Sequence, residues 1–254
     1  MTSTHKVALV FGGTSGIGFA AAAELADRGY RVAISGRNSE RGERAARELG
    51  TDAVFSSADV SRAGDVAGVV DAVLARWGRL DAAVNAAALG VTRPAPTADI
   101  TEAEWDQTIA VALKGTWLCM RSEIAAMLAT GGGAIVNVSS VNGLSGTPNA
   151  AAYCAAKHAL HGLSKTAATE YAPRGIRVNV VCPGAHRTPM LEGVFDTLVP
   201  GDRARAEAMF QAHIPAGRIG EPRECGRAIA WLASDAASYI SGSVLAVDGA
   251  MSAS

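Results

Sequence analysis

The sequence predicts an α/β fold, a doubly wound sheet of seven parallel strands with helices on both faces, in a single domain over residues 1–254. Three observations carry that expectation. Apolar runs of strand length alternate with segments of helical period from end to end. A glycine-rich turn directly follows the first run and opens into a helix. No linker, repeat or low-complexity tract divides the chain.

Val7 to Phe11 is continuously apolar, as a strand covered on both faces must be. The alanine-rich stretch Ile17 to Arg28 follows as a helix, then Arg31 to Ser35 as a strand, Glu40 to Leu49 as a helix and Ala53 to Ser56 as a strand. Ala63 to Trp77 (helix), Ala82 to Asn85 (strand), Glu102 to Leu128 (one long helix) and Ala134 to Ser139 (strand) continue the alternation. Ala150 to Tyr171, Arg177 to Val181, Arg223 to Leu232 and Val244 to Val247 complete it, and no predicted helix contains an internal proline. Between Pro183 and Pro222 the pattern breaks. Pro189, Pro200 and Pro215 interrupt a weak helical period around Arg203 to His213. Ligands of such sheets bind beyond the carboxyl ends of the strands, so residues 185–220, after the sixth strand, are predicted to form a substrate lid.

Composition narrows the function. The 254 residues are 49% hydrophobic and 19% charged, and 23 basic against 24 acidic residues give a net charge of −1, which offers no footprint for nucleic acid or an anionic membrane. No run approaches the ~20 apolar residues of a membrane span. Met1 to Lys6 lacks the apolar core of a secretion signal, so a cytoplasmic location is expected. Cys119, Cys154, Cys182 and Cys225 show no metal spacing and read as buried reduced thiols; no catalytic metal is expected.

The turn Gly12-Gly13-Thr14-Ser15-Gly16-Ile17-Gly18 joins a strand to a helix N-terminus, where backbone N–H groups and the helix dipole can approach a pyrophosphate. Gly12, Thr14, Ser15, Gly16, Ile17 and Gly18 are therefore candidate cofactor-binding residues. The second strand ends in Ser35-Gly36-Arg37-Asn38 with no acid to read a ribose 2′-hydroxyl. The planar guanidinium of Arg37 suits a 2′-phosphate; a solvated surface arginine is the alternative. Further on, Tyr153 and Lys157 stand four residues apart and share a helix face. A phenol is a poor acid or base near neutrality unless a fixed cation favours its phenolate, which Lys157 would do. Ser140, at the end of the fifth strand, could hydrogen-bond a substrate carbonyl oxygen.

Taken together, Gly12-x-x-x-Gly16-Ile17-Gly18, Asp59-Val60, Asp81-x-x-Val84-Asn85-Ala86-Ala87, Ser139-Ser140, Tyr153-x-x-x-Lys157, Asn179-x-x-x-Pro183-Gly184, Thr188-Pro189-Met190 and Val247-Asp248-Gly249 make the chain resemble the short-chain dehydrogenase/reductase family nearly end to end. The resemblance is greatest to single-domain 3-oxoacyl-carrier-protein reductases and related ketone reductases with a Rossmann sheet. It implies that Tyr153 is the acid/base, Lys157 lowers its pKa and holds the nicotinamide ribose, and Ser140 orients the substrate oxygen. It also implies that Asp59 and Val60 contact the adenine, that Asn85 and Ala86 pass beside the cofactor, and that Pro183, Gly184 and Thr188 lie by the nicotinamide. Arg37 implies NADP(H), with NAD(H) as the alternative, although Ser15 stands where a basic residue would reinforce NADP. A homotetramer is implied as well.

Three positions depart from the family. Ala112 in Val111-Ala112-Leu113-Lys114-Gly115 stands where the family has an asparagine. The resemblance implies that this residue's carbonyl holds a water of the proton relay and its side chain braces a local irregularity of the helix. Alanine keeps the carbonyl and loses the brace, so a reduced rate is expected. Phe11 and the run Asn85-Ala86-Ala87-Ala88 are milder departures. The reaction expected is hydride exchange between NADP(H) and a neutral, fairly hydrophobic ketone or secondary alcohol. The alternatives are an NAD-dependent alcohol dehydrogenase and a weakly active nucleotide-binding sensor. Ser140, Asn142, Asn149, Tyr153, His186 and Met190 are the candidate substrate contacts, with surface exposure the other reading of His186. His161 is expected to be structural.

Overall fold

The computed structural model describes residues 5–91 and 93–253; the leader expectation therefore rests largely on Met1 to Thr4, which lie outside the described residues. Seven parallel strands form one sheet in the order β3-β2-β1-β4-β5-β6-β7. They are β1 (Val7–Phe11), β2 (Arg31–Gly36), β3 (Ala53–Ser57), β4 (Ala82–Asn85), β5 (Gly133–Val138), β6 (Ile176–Pro183) and β7 (Val244–Val247). The reversal of strand order between β1 and β4 opens a crevice above their carboxyl ends, where such sheets bind ligands.

Strand alternation divides the core into two layers. Val7, Leu9 and Phe11 pack with Val66, Val69, Val70 and Val73 of α3 (Ala63–Trp77) and with Leu118, Met120 and Met127 of α5 (Thr116–Thr130). Ala8 and Val10 face the other way, onto α1 (Gly16–Asp27), α2 (Ser39–Leu49) and α9 (Pro222–Ala233). A side chain at Gly226 would meet the Ala20 backbone at 2.8 Å, so glycine lets α9 lie close against α1.

Two helical expectations change. The long helix over Glu102 to Leu128 is α4 (Glu102–Ile109) and α5 joined by a π-helical segment, Ala110–Gly115. The segment expected to form a lid contains two helices instead of one weak pattern. α7 (Pro189–Leu198) precedes α8 (Arg203–Ala212), and Pro189 sits at the first turn of α7, where its missing N–H costs nothing. The lid has its own small core of Leu191, Phe195, Ala206, Ile214 and Ile219, with Phe195 edge-on to Phe210 at 5.3 Å. Three of the four free thiols are buried, whereas Cys154 on α6 (Ala151–Tyr171) is half-buried. No described helix is long and apolar enough to cross a membrane.

Candidate active site

The glycine turn forms an anion cradle. Gly12 adopts φ +78°, and a Cβ there would lie 2.6 Å from the Ala87 nitrogen; a Cβ on Gly18 would collide with the Gly12 carbonyl oxygen. Ser15 is the extended N-cap of α1 but its side chain caps nothing, and the first turn holds no acid. The first N–H groups of α1 thus remain without a side-chain cap or a competing carboxylate, which fits a dinucleotide pyrophosphate. Thr188 lies across this turn, its Cγ2 3.2 Å from where a Cβ on Gly16 would be, while its hydroxyl accepts from Leu191 N at the start of α7.

The adenosine end is less uniform. Arg37 is exposed just beyond β2 and forms no ion pair among the described residues. The Asp59 carboxylate accepts from Ser61 N and Oγ (3.0 and 2.7 Å), and these bonds, ahead of Arg37 and Arg62, hold its pKa below the usual carboxylate value. Val60 is buried under Gly115 of the π segment. Asn85 turns its side chain away from the crevice and into the core, so only the backbone of Asn85-Ala86 faces the cofactor's expected path. The Ala86 N–H is already given to Phe11 O at 2.8 Å.

Ser140, Tyr153 and Lys157 do come together at the carboxyl ends of β4, β5 and β6. Ser140 caps a short turn, its hydroxyl accepting from Asn142 N at 3.1 Å. Lys157 is almost wholly buried; its ammonium donates to Val138 O at 2.8 Å and stands 5.5 Å from the Tyr153 ring centre. Burial lowers Lys157 to about 8. The half-buried Tyr153 is pushed up to about 12 by desolvation, against which the neighbouring Ser140 hydroxyl pulls down. In the protein alone, then, burial outweighs the lowering expected from Lys157. Ala112 is buried in the π segment, and its carbonyl accepts from the Thr116 hydroxyl at 3.2 Å. The irregular turn thus persists without an asparagine.

Around the mouth, Asn142 is half-buried and Asn149 exposed at φ +64°, its carbonyl accepting from Ala95 N. Met190 of the lid is exposed and reaches the loop after β4, its Sδ 3.2 Å from a Cβ on Gly90. His186 is not the surface-exposed ring that one reading of the sequence allows. It is 4% exposed, bonded through Nδ1 to Gly184 O and packed on Gly220, because residues 185–187 pair with Gly220 at the base of the lid. Pro183 ends β6, and Gly184 N donates to Val247 O.

Two buried clusters went unread in the sequence. Ser139 donates to Lys157 O (3.1 Å) and lies 2.9 Å from His161 Nε2. Glu123, fully buried on α5, accepts from Asn85, and Asn85 continues through Asn137 to Ser164. The one sign of the second in the sequence is an acid, Glu123, among the apolar residues Cys119, Met120, Ile124 and Met127. No cluster of three metal-ligating side chains occurs among the described residues.

Residues 12–252 match the family described as enoyl-(acyl carrier protein) reductase. The chain is 40% identical over 249 residues to 2,5-dichloro-2,5-cyclohexadiene-1,4-diol dehydrogenase of Sphingobium indicum (98% of this chain, 97% of the relative). It is 41% identical over 252 residues to cis-4-hydroxycyclohexanecarboxylate dehydrogenase of Sinomonas cyclohexanicum (98% and 97%). The crystal structure of levodione reductase superposes with a TM-score of 0.94 at 35% identity, covering 98% of each chain. With the crevice, the glycine cradle and these relatives in agreement over the whole length, the chain belongs to the short-chain dehydrogenase/reductase family, whose members are oxidoreductases using a nicotinamide cofactor.

Proposed function

We propose that the protein interconverts a neutral cyclic ketone and its secondary alcohol with NADP(H), Tyr153 acting as the acid/base. The observation that carries this reading is the placement of Tyr153 beside Ser140, with the buried ammonium of Lys157 5.5 Å from the phenol ring centre. A bound nicotinamide dinucleotide supplies or accepts the hydride. Ser140 holds the substrate oxygen by a hydrogen bond that strengthens as negative charge grows there. Tyr153 delivers its phenolic proton to that oxygen in reduction and takes it back in oxidation. The Lys157 charge favours the phenolate left behind, and Ala112 O, beside Thr116, offers an acceptor on the route by which the proton is replaced.

Three observations support the substrate class. Relatives named for cyclohexanol, hydroxycyclohexanecarboxylate and dichlorocyclohexadienediol carry a six-membered ring in their names. Leu144, Met190, Val194 and Leu198 are exposed apolar groups around the mouth and on the lid. Arg93, the cation after β4, is committed to Glu104 and to Asp99 O. A substrate carboxylate would thus find no free cation there. For the cofactor, Arg37 at the end of β2 supports NADP(H), and a structural relative, an actinorhodin ketoreductase variant, was solved with NADPH. Exposed Trp105 and Trp117, the latter stacked on Arg121 at 5.2 Å, support a homotetramer built through α4 and α5, which light scattering would test.

The test is a matrix of cyclohexanone-type ketones and alcohols, neutral and carboxylated, against NADPH and NADH. Neutral ring ketones with NADPH are expected to give the highest kcat/KM. Arg37→Ala is expected to cut kcat/KM with NADPH about 10- to 100-fold, the worth of a charge-assisted contact, and to leave NADH unchanged. Preference for NADH in the parent protein, or for carboxylated rings, overturns the corresponding part.

A further inference from the structure

The polar chain beneath the site has two loose ends, and both lie on one pair of side chains. Glu123 Oε2 accepts from Asn85 Nδ2 at 3.0 Å, while Glu123 Oε1 and Asn85 Oδ1, both buried, have no partner. The orientation of the other groups is set from the far end. The Ser164 hydroxyl donates to Leu160 O at 2.7 Å, so its oxygen receives from Asn137 Nδ2 at 2.9 Å. That turns Asn137 Oδ1 toward Asn85 Nδ2, also at 2.9 Å, on the register partner in β4. Asn85 therefore presents one nitrogen to two acceptors and keeps an oxygen that needs a donor. Glu123 is the group left to provide one.

An ionised carboxylate cannot provide it, and would leave a buried charge without a counterion. Facing Glu123 are Cys119 one turn earlier on α5 and Asn85 from the sheet, with Asn137 behind Asn85; no described cation offsets its burial. A proton on Oε1 satisfies both orphaned oxygens at once, as in a carboxylic acid paired with a primary amide. We propose that Glu123 is held protonated in the folded enzyme, its acid doubly hydrogen-bonded to the Asn85 amide, and that this neutral pair is a positioning element for the site above it. The pair ties together what the site must hold in register. Asn85 precedes Ala86 at the edge of the glycine turn, Asn137 lies two residues before Ser139, and Ser164 sits two turns beyond Lys157 on α6. The assignment does not rest on which ketone is reduced.

The experiment is infrared difference spectroscopy of the parent protein against Glu123→Gln, together with kinetics of Glu123→Gln and Glu123→Leu. The expected result is the carbonyl stretch of a protonated carboxylic acid at pH 7 in the parent, fading as pH rises through about 8. Glutamine is neutral and can make the same two bonds, so it should keep kcat near the parent value. Leucine strands the Asn85 amide and should lower kcat about 10- to 100-fold with KM little changed. The melting temperature of the parent should fall from about pH 4.5 to 8, where only the unfolded chain releases this proton, and that slope should vanish in Glu123→Gln. An ionised Glu123 at pH 7, or a glutamine variant as impaired as leucine, overturns the proposal. Should Glu123→Gln fail to fold, the carboxyl carbon shift of the parent labelled with carbon-13 glutamate reads the same proton.

Discussion

Lys157 is placed to act through charge, yet its ammonium is tied to Val138 O and held to about 8 by burial. That combination has a consequence for stability. Between about pH 8 and 10.5 the unfolded chain still holds a proton that the folded protein has released, so stability rises with pH across this window. Lys157→Met is expected to flatten the rise, which thermal unfolding at successive pH values would show, and to lower kcat by removing the charge that favours the phenolate. Tyr153, pushed up to about 12, behaves oppositely: above pH 10 the folded state keeps a proton that the unfolded chain loses, and stability falls. The Tyr153-x-x-x-Lys157 spacing and Ser140 were legible because helix and strand periodicity fix where such groups lie. Glu123 and the Asn85 side chain were not, since the direction in which a strand-end amide turns depends on a partner 38 residues away.

At the scale of elements, two features test how the site is shaped. A Cβ on Gly18 has no room beside the Gly12 carbonyl. Gly18→Ala should therefore shift the turn, cost about 1–3 kcal/mol as overpacking does, and weaken dinucleotide binding, measurable by calorimetry. In the π segment, Thr116 bonds the carbonyl of Ala112 where a brace is missing. Ala112→Asn should raise kcat, and a variant no faster than the parent would show that the segment needs no brace. Periodicity located the helix over Glu102 to Leu128 but not its π turn, because one extra residue hardly disturbs an apolar pattern. Helix α7 escaped for a different reason. Pro189 reads as a breaker, yet at the first helical position it is a starter.

The whole molecule divides into a sheet with two apolar layers and a lid with a core of its own, joined where residues 185–187 meet Gly220. Arg187 pairs with Glu207 and Glu221, and Arg203 with Glu192, fastening the lid helices by exposed charges. Exposed pairs contribute little, so the fully buried Phe195 should dominate lid stability. Phe195→Ala is expected to cost about 3–5 kcal/mol, felt in the lid first. Hydrogen exchange should quicken in α7 and α8 while β1, β4 and β5 stay protected, and KM should rise more than kcat falls. The seven strands were readable in the chain because parallel strands buried on both faces are continuously apolar. The burial of His186 was not, since it depends on a pairing with Gly220 that no local pattern announces.

The most direct test of the account compares parent protein with Tyr153→Phe, titrating each with NADPH by calorimetry and then adding a neutral ring ketone while following NADPH absorbance. Equal binding of the nucleotide is expected, with a loss of turnover of about 100-fold or more, the share of rate that a positioned acid supplies. Turnover that survives in Tyr153→Phe would contradict the assignment of the proton to that phenol.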